Sequence, residues 1–309
     1  MTTLLFTHPS SLEHDAGQGH PERPDRVRAV YAALDASQFD SLIRREAPAA
    51  DVAQIALVHD RLYADTLLAA VPEAGHVQID PDTALSPASG EAALHAVGAM
   101  IAAVDAVVAG EANTAFCAIR PPGHHAEPDH GMGFCLFNNV AIGAAYARAH
   151  HGLGRVAVVD FDVHHGNGTQ AAFESEPEVL FASSHEYPLY PGTGAASEQG
   201  VGNVFNVPLA AATGSQEFRR EIERVVLPAL EDFDPALILI SAGFDAHARD
   251  PLASLRLDEE DFAWITGKLV DIAGERCGGK IVSTLEGGYD LEALANSVTA
   301  HVGELMRGR

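Results

Sequence analysis

Residues 158–169 read VVDFDVHHGNGT, an apolar run that passes directly into a segment rich in Asp, His and Gly. The apolar beginning is typical of a strand that is buried on both faces of a parallel sheet. In open α/β sheets, ligands bind beyond the carboxyl ends of the strands, because loops converge there and helix N-termini point inward. This stretch therefore predicts a buried strand that delivers polar side chains to a binding edge.

Short runs rich in Val, Ile, Leu and Phe alternate along the chain with longer segments that carry Ala, Glu and Arg, a pattern typical of α/β proteins. The pattern predicts eight strands, at residues 4–7, 41–45, 114–119, 156–161, 179–183, 203–209, 237–241 and 281–285. It predicts helices at residues 25–35, 61–70, 89–109, 138–150, 215–232, 258–276 and 291–306. Because no Pro- or Ser-rich linker, repeat or low-complexity tract divides the sequence, we expect residues 1–309 to form a single domain.

The chain is strongly acidic, with 43 Asp and Glu against 19 Lys and Arg and a formal net charge of -24. A negative field of this kind repels the phosphates of nucleic acids, so we expect no nucleic-acid partner. The same field attracts cations, so it is compatible with a cationic substrate.

Three further features indicate a cytoplasmic protein that does not bind membranes. The first residues lack the basic start and apolar segment of a secretory signal. The longest apolar region, residues 92–119, is too often interrupted to predict a membrane-spanning helix; the interruptions are His95, Asp105, Glu111 and Asn113. The cysteines are odd in number and lack paired spacing, as is typical of reduced thiols; they are Cys117, Cys135 and Cys277.

Chemically unusual residues follow four of the predicted strands. The segment after residues 114–119 reads RPPGHHAEPDHGMGF, and the segment DVHHGNGT ends the stretch quoted first. The segment SAGFDAH begins at the last residue of the predicted strand at residues 237–241. The segment EGGYD directly follows the predicted strand at residues 281–285. Since the carboxyl ends of parallel strands share one edge of the sheet, we expect these four loops to meet.

Asp162 and His164 form an Asp-x-His pair that can offer one oxygen and one nitrogen to the same ion. Asp245, which follows another strand, can supply a third ligand. Three protein ligands with nitrogen and oxygen donors leave one coordination position open, as in a catalytic zinc site. An Asp-x-His pair alone is most often a surface turn. The metal site is favoured because Asp245 follows a second strand and adds a third ligand.

His124 and His125 lie in an extended loop near this predicted site. Two imidazoles beside a metal ion can bind a nucleophilic water and pass its proton to the leaving group. Tandem histidines are weak evidence alone, because His150 and His151 also form a pair. That pair is predicted to end a helix, where the helix dipole favours positive charge.

Three more residues are candidates for supporting roles. Asp160 and Asn167 can accept the second ring proton of a histidine and so orient it. Capping a helix or a turn is an equally good interpretation of both. Tyr289 follows two glycines and can donate its hydroxyl to an oxyanion, although a half-buried structural tyrosine has the same pattern.

Six segments in order, RPPGHHA, GFCLFNN, DFDVHHGNGTQ, PGTG, SAGFDAH and EGGY, resemble the histone deacetylase superfamily. The superfamily includes acetylpolyamine amidohydrolases and acetoin-utilisation proteins, and RPPGHH and HHGNGTQ are closest to class II and bacterial members. The resemblance extends from about residue 20 to residue 289. It implies a single arginase-like α/β domain with an eight-stranded parallel sheet flanked by helices.

The resemblance also assigns roles to the candidate residues. It makes Asp162, His164 and Asp245 the ligands of one zinc ion, in agreement with their pattern. It makes His125 the general base and then the acid, and His124 an electrostatic support of the transition state. Asp160 then orients His124, Asn167 orients His125, and Tyr289 polarises the acetyl carbonyl. Because many relatives carry Asp where this chain has Asn167, we expect His125 to be less basic here.

The resemblance further implies a narrow channel for the acyl-lysine stem. Its wall would include Gly133, Phe134 and Tyr190, although Leu189 and Tyr190 stand where several relatives have an aromatic pair. Leu252 occupies the place where polyamine-preferring relatives carry Glu, which favours acetyl-lysine as the substrate. Arg23 resembles a basic residue on the route by which acetate leaves.

Potassium is a second cofactor that the resemblance implies. One site would involve Asp160, Asp162, His164, Ser183 and Ser184, and a second would use the carbonyl oxygens of Phe173 and Val179.

The sequence thus predicts a zinc-dependent deacetylase that hydrolyses N-acetyl amides of lysine side chains, with acetylated peptides or proteins as partners. In this interpretation zinc and His125 activate the water, and zinc and Tyr289 stabilise the oxyanion. An acetylpolyamine amidohydrolase is the alternative substrate class. Two further alternatives are weaker: a two-manganese ureohydrolase would need more bridging carboxylates, and a non-catalytic binding module would usually have lost one of His124, His125 and Tyr289.

Overall fold

The computed structural model describes residues 2–307. Within them the strands are β1 (Thr3–Thr7), β2 (Ile43–Glu46), β3 (Val77–Asp80), β4 (Thr83–Leu85), β5 (Thr114–Cys117), β6 (Val156–Asp160), β7 (Val179–Glu186), β8 (Val204–Leu209), β9 (Leu237–Ala242) and β10 (Ile281–Leu285). The helices are α1 (Asp25–Leu34), α2 (Val52–Ile55), α3 (Arg61–Ala69), α4 (Ser89–Val108), α5 (Asn139–His151), α6 (Asn167–Phe173), α7 (Ser215–Glu221), α8 (Leu227–Phe233), α9 (Glu259–Arg276) and α10 (Leu291–Arg307).

Eight strands form one parallel sheet in the order β2-β1-β5-β10-β9-β6-β7-β8. Alternate residues of each central strand enter different hydrophobic clusters. Leu5, Val159 and Ile240 pack in the cluster that contains residues of α1, α9 and α10, whereas Leu4 and Val158 pack with α4 and α5. The sheet is therefore buried on both faces, which explains why its strands read as continuous apolar runs. The predicted eight-stranded α/β fold is confirmed.

Helix α4 is the one described helix with the length and hydropathy of a membrane span. Two thirds of its most apolar window is buried within the protein, where Ala96, Met100 and Val104 pack against the sheet. Its apolar composition is accounted for by this core position.

The structure adds elements that the pattern did not predict. A separate antiparallel hairpin, β3–β4, pairs Val77 with Leu85, and its strands are too short to show a clear period. The short helices α2 and α6 were also missed, and the helix predicted at residues 215–232 contains a π-turn at Ile222–Val226 between α7 and α8. The three cysteines are buried and unpaired, as expected.

The sheet order brings the four chemically unusual loops together. Strands β5, β10, β9 and β6 are consecutive neighbours in the sheet and run in the same direction. Neighbouring strands lie ~4.8 Å apart, so the loops that follow them are adjacent at the carboxyl edge. The site is built there.

Candidate active site

Three ligand side chains converge at the carboxyl ends of β6 and β9. The Nδ1 atom of His164 lies 3.1 Å from Oδ1 of Asp162 and 3.2 Å from Oδ2 of Asp245. One ligand atom from each residue lies within 4.8 Å of the other two, and all three side chains are almost fully buried. This geometry places one nitrogen and two carboxylate oxygens around a single point, as the sequence predicts.

Backbone amides orient the two carboxylates. Oδ2 of Asp162 accepts a hydrogen bond from the Gly287 amide at 2.8 Å, and Oδ1 of Asp245 accepts one from the Val163 amide at 2.9 Å. The other oxygen of Asp245, Oδ2, is buried and has no well-aligned hydrogen-bond donor among the described residues; the nitrogen 3.2 Å from it is Nδ1 of His164, itself a candidate ligand. A buried carboxylate oxygen without a donor is costly, and a metal ion at the convergence point would satisfy it. The donor set therefore fits one divalent cation.

Glycines leave the room that this cluster needs. A Cβ atom at Gly243 would collide with the carboxylate of Asp162, and one at Gly287 would collide with the carboxylates of both Asp162 and Asp245. Both positions require glycine because the backbone passes directly against the charged groups.

The two carboxylates also shift the ionisation of their neighbours. Burial alone would lower the pKa of His164, but Asp162 and Asp245 raise that pKa to about 10. Burial and the charge of Asp162 raise the pKa of Asp245, whereas His124 and His164 hold the pKa of Asp162 well below its ordinary value against the effect of burial. The cluster thus carries concentrated negative charge that attracts a cation.

His124 forms an ion pair with Asp160. Its Nδ1 lies 2.9 Å from Oδ2 of Asp160, and its Nε2 lies 3.8 Å from Oδ1 of Asp162. Burial opposes the charged imidazole, but these two carboxylates raise the pKa of His124 to about 10. His124 is therefore cationic at neutral pH and sits beside the candidate metal site.

His125 is neutral, in contrast to His124. Its Nδ1–H donates to Oδ1 of Asn167 at 2.8 Å, and the Asn167 amide nitrogen donates to the Glu127 carboxylate at 2.7 Å, which determines the orientation of the amide. Burial, together with the positive charges of His124 and His164, lowers the pKa of His125 well below its ordinary value. His125 is therefore neutral and keeps a basic Nε2.

These groups open onto a cavity of about 250 Å³. The residues that line it are Asp82, Pro122, His124, His125, Gly133, Phe134, His164, Tyr190, Leu252, Gly287 and Tyr289. Phe134 has a left-handed backbone (φ 70°), and its ring packs edge-on against Tyr289 at 5.9 Å. Strained backbone of this kind is concentrated at functional sites.

The ring of Tyr190 lies 5.2 Å from that of His125, and Leu252 is partly exposed at the rim.

The sequence matches the family model described as "Histone deacetylase domain" over residues 20–305. The chain belongs to the histone deacetylase family.

Relatives and solved structures agree with this membership. The chain is 41% identical to a histone deacetylase-like amidohydrolase of Pseudomonas aeruginosa, over 90% of this chain and 74% of the relative. It is 38% identical to a probable deacetylase of Archaeoglobus fulgidus, over 94% of this chain and 82% of that protein. The crystal structure of the HDA15 HD domain superposes with a TM-score of 0.93 at 35% identity and covers 99% of this chain and 88% of the other. The histone deacetylase family and its relatives support a hydrolase that acts as a deacetylase or amidohydrolase.

Glu286 is part of this histone deacetylase site and was not among the predicted residues. Its Oε2 accepts hydrogen bonds from the amides of Gly123 at 2.7 Å and His124 at 3.3 Å, and its Oε1 accepts one from Ser241 at 3.2 Å. Burial raises the pKa of Glu286 to about 7. The side chain holds the loop of His124 and His125 against β9. In the sequence, only its position before the two glycines of EGGY indicates that Glu286 belongs to the site.

The prediction for Arg23 is wrong. Its side chain is half exposed and pairs with Asp25 at 3.5 Å, so it does not reach the cavity. Arg26, three residues later, is fully buried; its guanidinium lies 4.8 Å from the centre of the Tyr289 ring and its Nε donates to the Gly288 carbonyl at 2.7 Å. Arg26 rather than Arg23 turns inward because it lies on the buried face of α1.

The residues suggested for potassium lie in two places. Asp160 and Ser183 are paired in register on β6 and β7, directly below the metal-ligand turn. The Phe173 and Val179 carbonyls, by contrast, accept hydrogen bonds from the side-chain amide of Asn203, at 2.7 and 2.8 Å. The same nitrogen lies 3.0 Å from the Glu176 carbonyl, so it occupies the centre of this group of oxygens.

The different environments of the two histidines lead to a pH prediction. Replacing Asn167 by Asp places a negative charge beside Nδ1 of His125, which raises the pKa of the imidazole. Because the base must be neutral, we expect the acidic limb of the kcat/KM profile to move upward by roughly one to two pH units. Asn296→Asp, which adds the same charge at an exposed position, is the control. An acidic limb that does not move in Asn167→Asp would exclude His125 as the group that titrates there.

Proposed function

We propose that the chain is a zinc-dependent deacetylase that hydrolyses the N-acetyl amide of acetylated lysine side chains in peptides or proteins. The observation that carries the proposal is the buried Oδ2 of Asp245, which has no well-aligned donor and converges with Asp162 and His164 beside a cationic and a neutral histidine. Family membership supports the hydrolytic chemistry, and the geometry supports the assignment of roles.

Zinc suits the donor set, because it accepts mixed nitrogen and oxygen ligands and its catalytic sites use three protein ligands. When bound, the ion supplies Lewis acidity, which polarises an amide carbonyl and makes water a better nucleophile. Three side chains form the group of possible ligands, and Asp160 beside them is engaged with His124. This set favours one ion over the two-manganese arrangement of a ureohydrolase.

His125 acts as the base in this mechanism. Its neutral imidazole takes a proton from the attacking water at Nε2, while Nδ1–H stays bonded to Asn167. The resulting imidazolium then donates the proton to the departing amine. Since Asn167 carries no charge, this imidazolium is a stronger acid than one paired with a carboxylate, which favours the second step.

His124 and Tyr289 stabilise the charge that develops on the carbonyl oxygen. His124 is held cationic by Asp160 and contributes its positive charge without giving up its proton. Burial raises the pKa of Tyr289 well above its ordinary value, so its hydroxyl remains protonated and can donate a hydrogen bond. The Tyr289 amide donates to Asp250 at 2.7 Å, and this contact positions the residue at the cavity wall.

The cavity walls favour a slender acyl-lysine stem. Gly133, Phe134 and Tyr190 line its sides, and the rim residue Leu252 offers apolar contact instead of a negative charge. An acetylpolyamine is the second candidate, because Asp82 lines the same cavity and the chain carries a net charge of -24. We keep acetyl-lysine as the primary substrate, since a neutral rim at Leu252 provides no partner for a second ammonium group.

We further propose that the protein binds no nucleic acid and works in the cytoplasm. The net acidity argues against binding to nucleic acids, and the buried, unpaired cysteines are compatible with a reducing cytoplasm.

Potassium is proposed at one site only, the group formed by Asp160, Asp162, His164, Ser183 and Ser184. The second group of carbonyls already has a donor, because the Asn203 amide lies among the Phe173, Glu176 and Val179 oxygens at hydrogen-bond distance. A cation and this amide nitrogen cannot occupy the same position. The Asn203 amide therefore competes with a second potassium ion for these carbonyl oxygens.

Removal of one hydroxyl tests the role of Tyr289. Tyr289→Phe is expected to keep the fold and the zinc content while kcat falls by ~10²- to 10³-fold, because the oxyanion loses a donor. Tyr31→Phe, which removes a hydroxyl bonded to the Ala118 carbonyl and is not part of the cavity wall, is the control and should keep its kcat. Unchanged turnover in Tyr289→Phe would remove the residue from the mechanism.

Side-by-side kcat/KM values for an acetyl-lysine peptide, acetylputrescine and acetylspermidine test the substrate assignment. The wild-type protein should prefer the peptide. Leu252→Glu should raise kcat/KM for acetylspermidine relative to the peptide by roughly 2- to 5-fold, because the new carboxylate pairs with a free ammonium group of acetylspermidine at a partly exposed position. Leu252→Gln, which adds no charge, should not change this ratio. A strong preference of the wild type for acetylspermidine would contradict the assignment.

Thallium(I), a heavy substitute for potassium, can count the monovalent sites. Anomalous diffraction from crystals soaked in Tl⁺ should show an ion next to Asp160 and Ser183. A peak in contact with the Phe173 and Val179 carbonyls would show that Asn203 does not exclude the second cation.

A further inference from the structure

A second cluster of metal-binding side chains lies away from the candidate active site. His8 follows β1, and Glu91 and His95 are one turn apart on α4. One ligand atom from each of the three lies within 4.8 Å of the other two. Glu46, the last residue of β2, also approaches: its Oε1 is 3.7 Å from Nε2 of His8.

The hydrogen bonds of the two imidazoles engage Nδ1 of each ring and leave Nε2 without a backbone partner. Nδ1 of His95 lies 2.8 Å from the Ala47 carbonyl, which accepts only from a protonated nitrogen, so Nε2 of His95 carries a lone pair. Nδ1 of His8 lies 2.7 Å from the Ser10 hydroxyl and accepts a hydrogen bond from the Ser10 amide at 3.2 Å, so the neutral ring carries its proton on Nε2, which points toward Glu46. Metal-ligating histidines commonly donate their other ring proton to a carbonyl in the way that His95 does.

We propose that His8, Glu91 and His95, with Glu46 as a fourth ligand, form a second binding site for a divalent transition-metal ion such as Zn²⁺. Two neutral imidazoles and two carboxylates balance a charge of +2, and mixed nitrogen and oxygen donors suit this class of ion. Glu91 and His95 share one helix face because residues four apart are neighbours there.

The availability of His8 is consistent with this site. Burial, and then the charge of His95, lower the pKa of His8, although Glu46 and Glu91 act in the opposite direction. The ring is therefore neutral at pH 7, and coordination through Nε2 requires its proton to move to Nδ1, where the Ser10 hydroxyl can accept it.

Binding requires one local movement. The two rings are stacked at 3.4 Å with an angle of 7° between their planes, whereas a coordinating lone pair lies in the plane of its ring. The rings must therefore open. His95 is only partly buried and the last torsion of a histidine has broad minima, so its ring can rotate, which lengthens its hydrogen bond to the Ala47 carbonyl.

The site is separate from the candidate active site. Strand β1 lies three positions from β9 and four from β6 in the sheet, which corresponds to roughly 14 and 19 Å. An ion bound there would link the ends of β1 and β2 to α4 and so stabilise this side of the sheet. It would leave the hydrolytic residues untouched.

A metal count tests the proposal. Protein that already carries one zinc per chain is equilibrated with buffered, micromolar free Zn²⁺, and bound zinc is measured by mass spectrometry together with the Tm. The wild type should take up one further zinc per chain, and its Tm should rise by roughly 5 °C. His95→Ala and Glu91→Gln should each weaken the second zinc by roughly 100-fold or more while keeping the first zinc and the deacetylase activity.

His150→Ala is the matched control, because His150 is exposed and stacks on Tyr146 away from this cluster. It should bind two zinc ions, like the wild type. A wild type that stays at one zinc per chain overturns the proposal and leaves the stacked histidines as a structural pair. A second zinc that persists in both His95→Ala and Glu91→Gln also overturns it, since the ion then lies elsewhere.

Discussion

The structure of the site depends on two buried carboxylates, Asp162 and Asp245, that lie close to each other and to His164. Like charges at this separation in a buried setting repel, and positive charge placed between or beside them relieves the repulsion. In the protein alone, His164 and His124 supply part of that charge. A divalent ion bound by a neutral His164 replaces the proton of that ring, supplies more positive charge, and satisfies the carboxylate oxygen of Asp245 that lacks a well-aligned donor.

The fold provides this arrangement through sheet order rather than through proximity in sequence. The ligands come from β6 and β9, which are far apart in the chain but adjacent in the sheet, and the glycines at 243 and 287 let the backbone pass against the carboxylates. Strand β5 presents the two histidines, and Glu286 after β10 ties their loop to the rest of the site. The opposite ionisation of His124 and His125 follows from their partners, a carboxylate for the first and an amide for the second.

The strands and the metal ligands could be predicted from the sequence because their signals are local and strong. The apolar runs mark strands buried on both faces, and the polar residues directly after them mark the binding edge. The hairpin β3–β4 was missed because strands of four and three residues carry no reliable period, and Asp82, which it brings to the cavity, was missed with it. The sequence indicated Arg23 and gave no sign of Arg26, because the pattern does not show which side of the first turn of α1 faces inward. The hydrogen bonds of Asn203 and the stack of His8 on His95 join segments that are distant in sequence, so no single motif indicates them.

Anomalous diffraction at the zinc edge, from crystals of the zinc-loaded protein, tests the central claim most directly. The account predicts a peak roughly 2.0–2.2 Å from Nδ1 of His164 and from one carboxylate oxygen each of Asp162 and Asp245, with space for a further ligand on the side of the cavity. A zinc-loaded crystal without a peak between these three side chains would contradict the account.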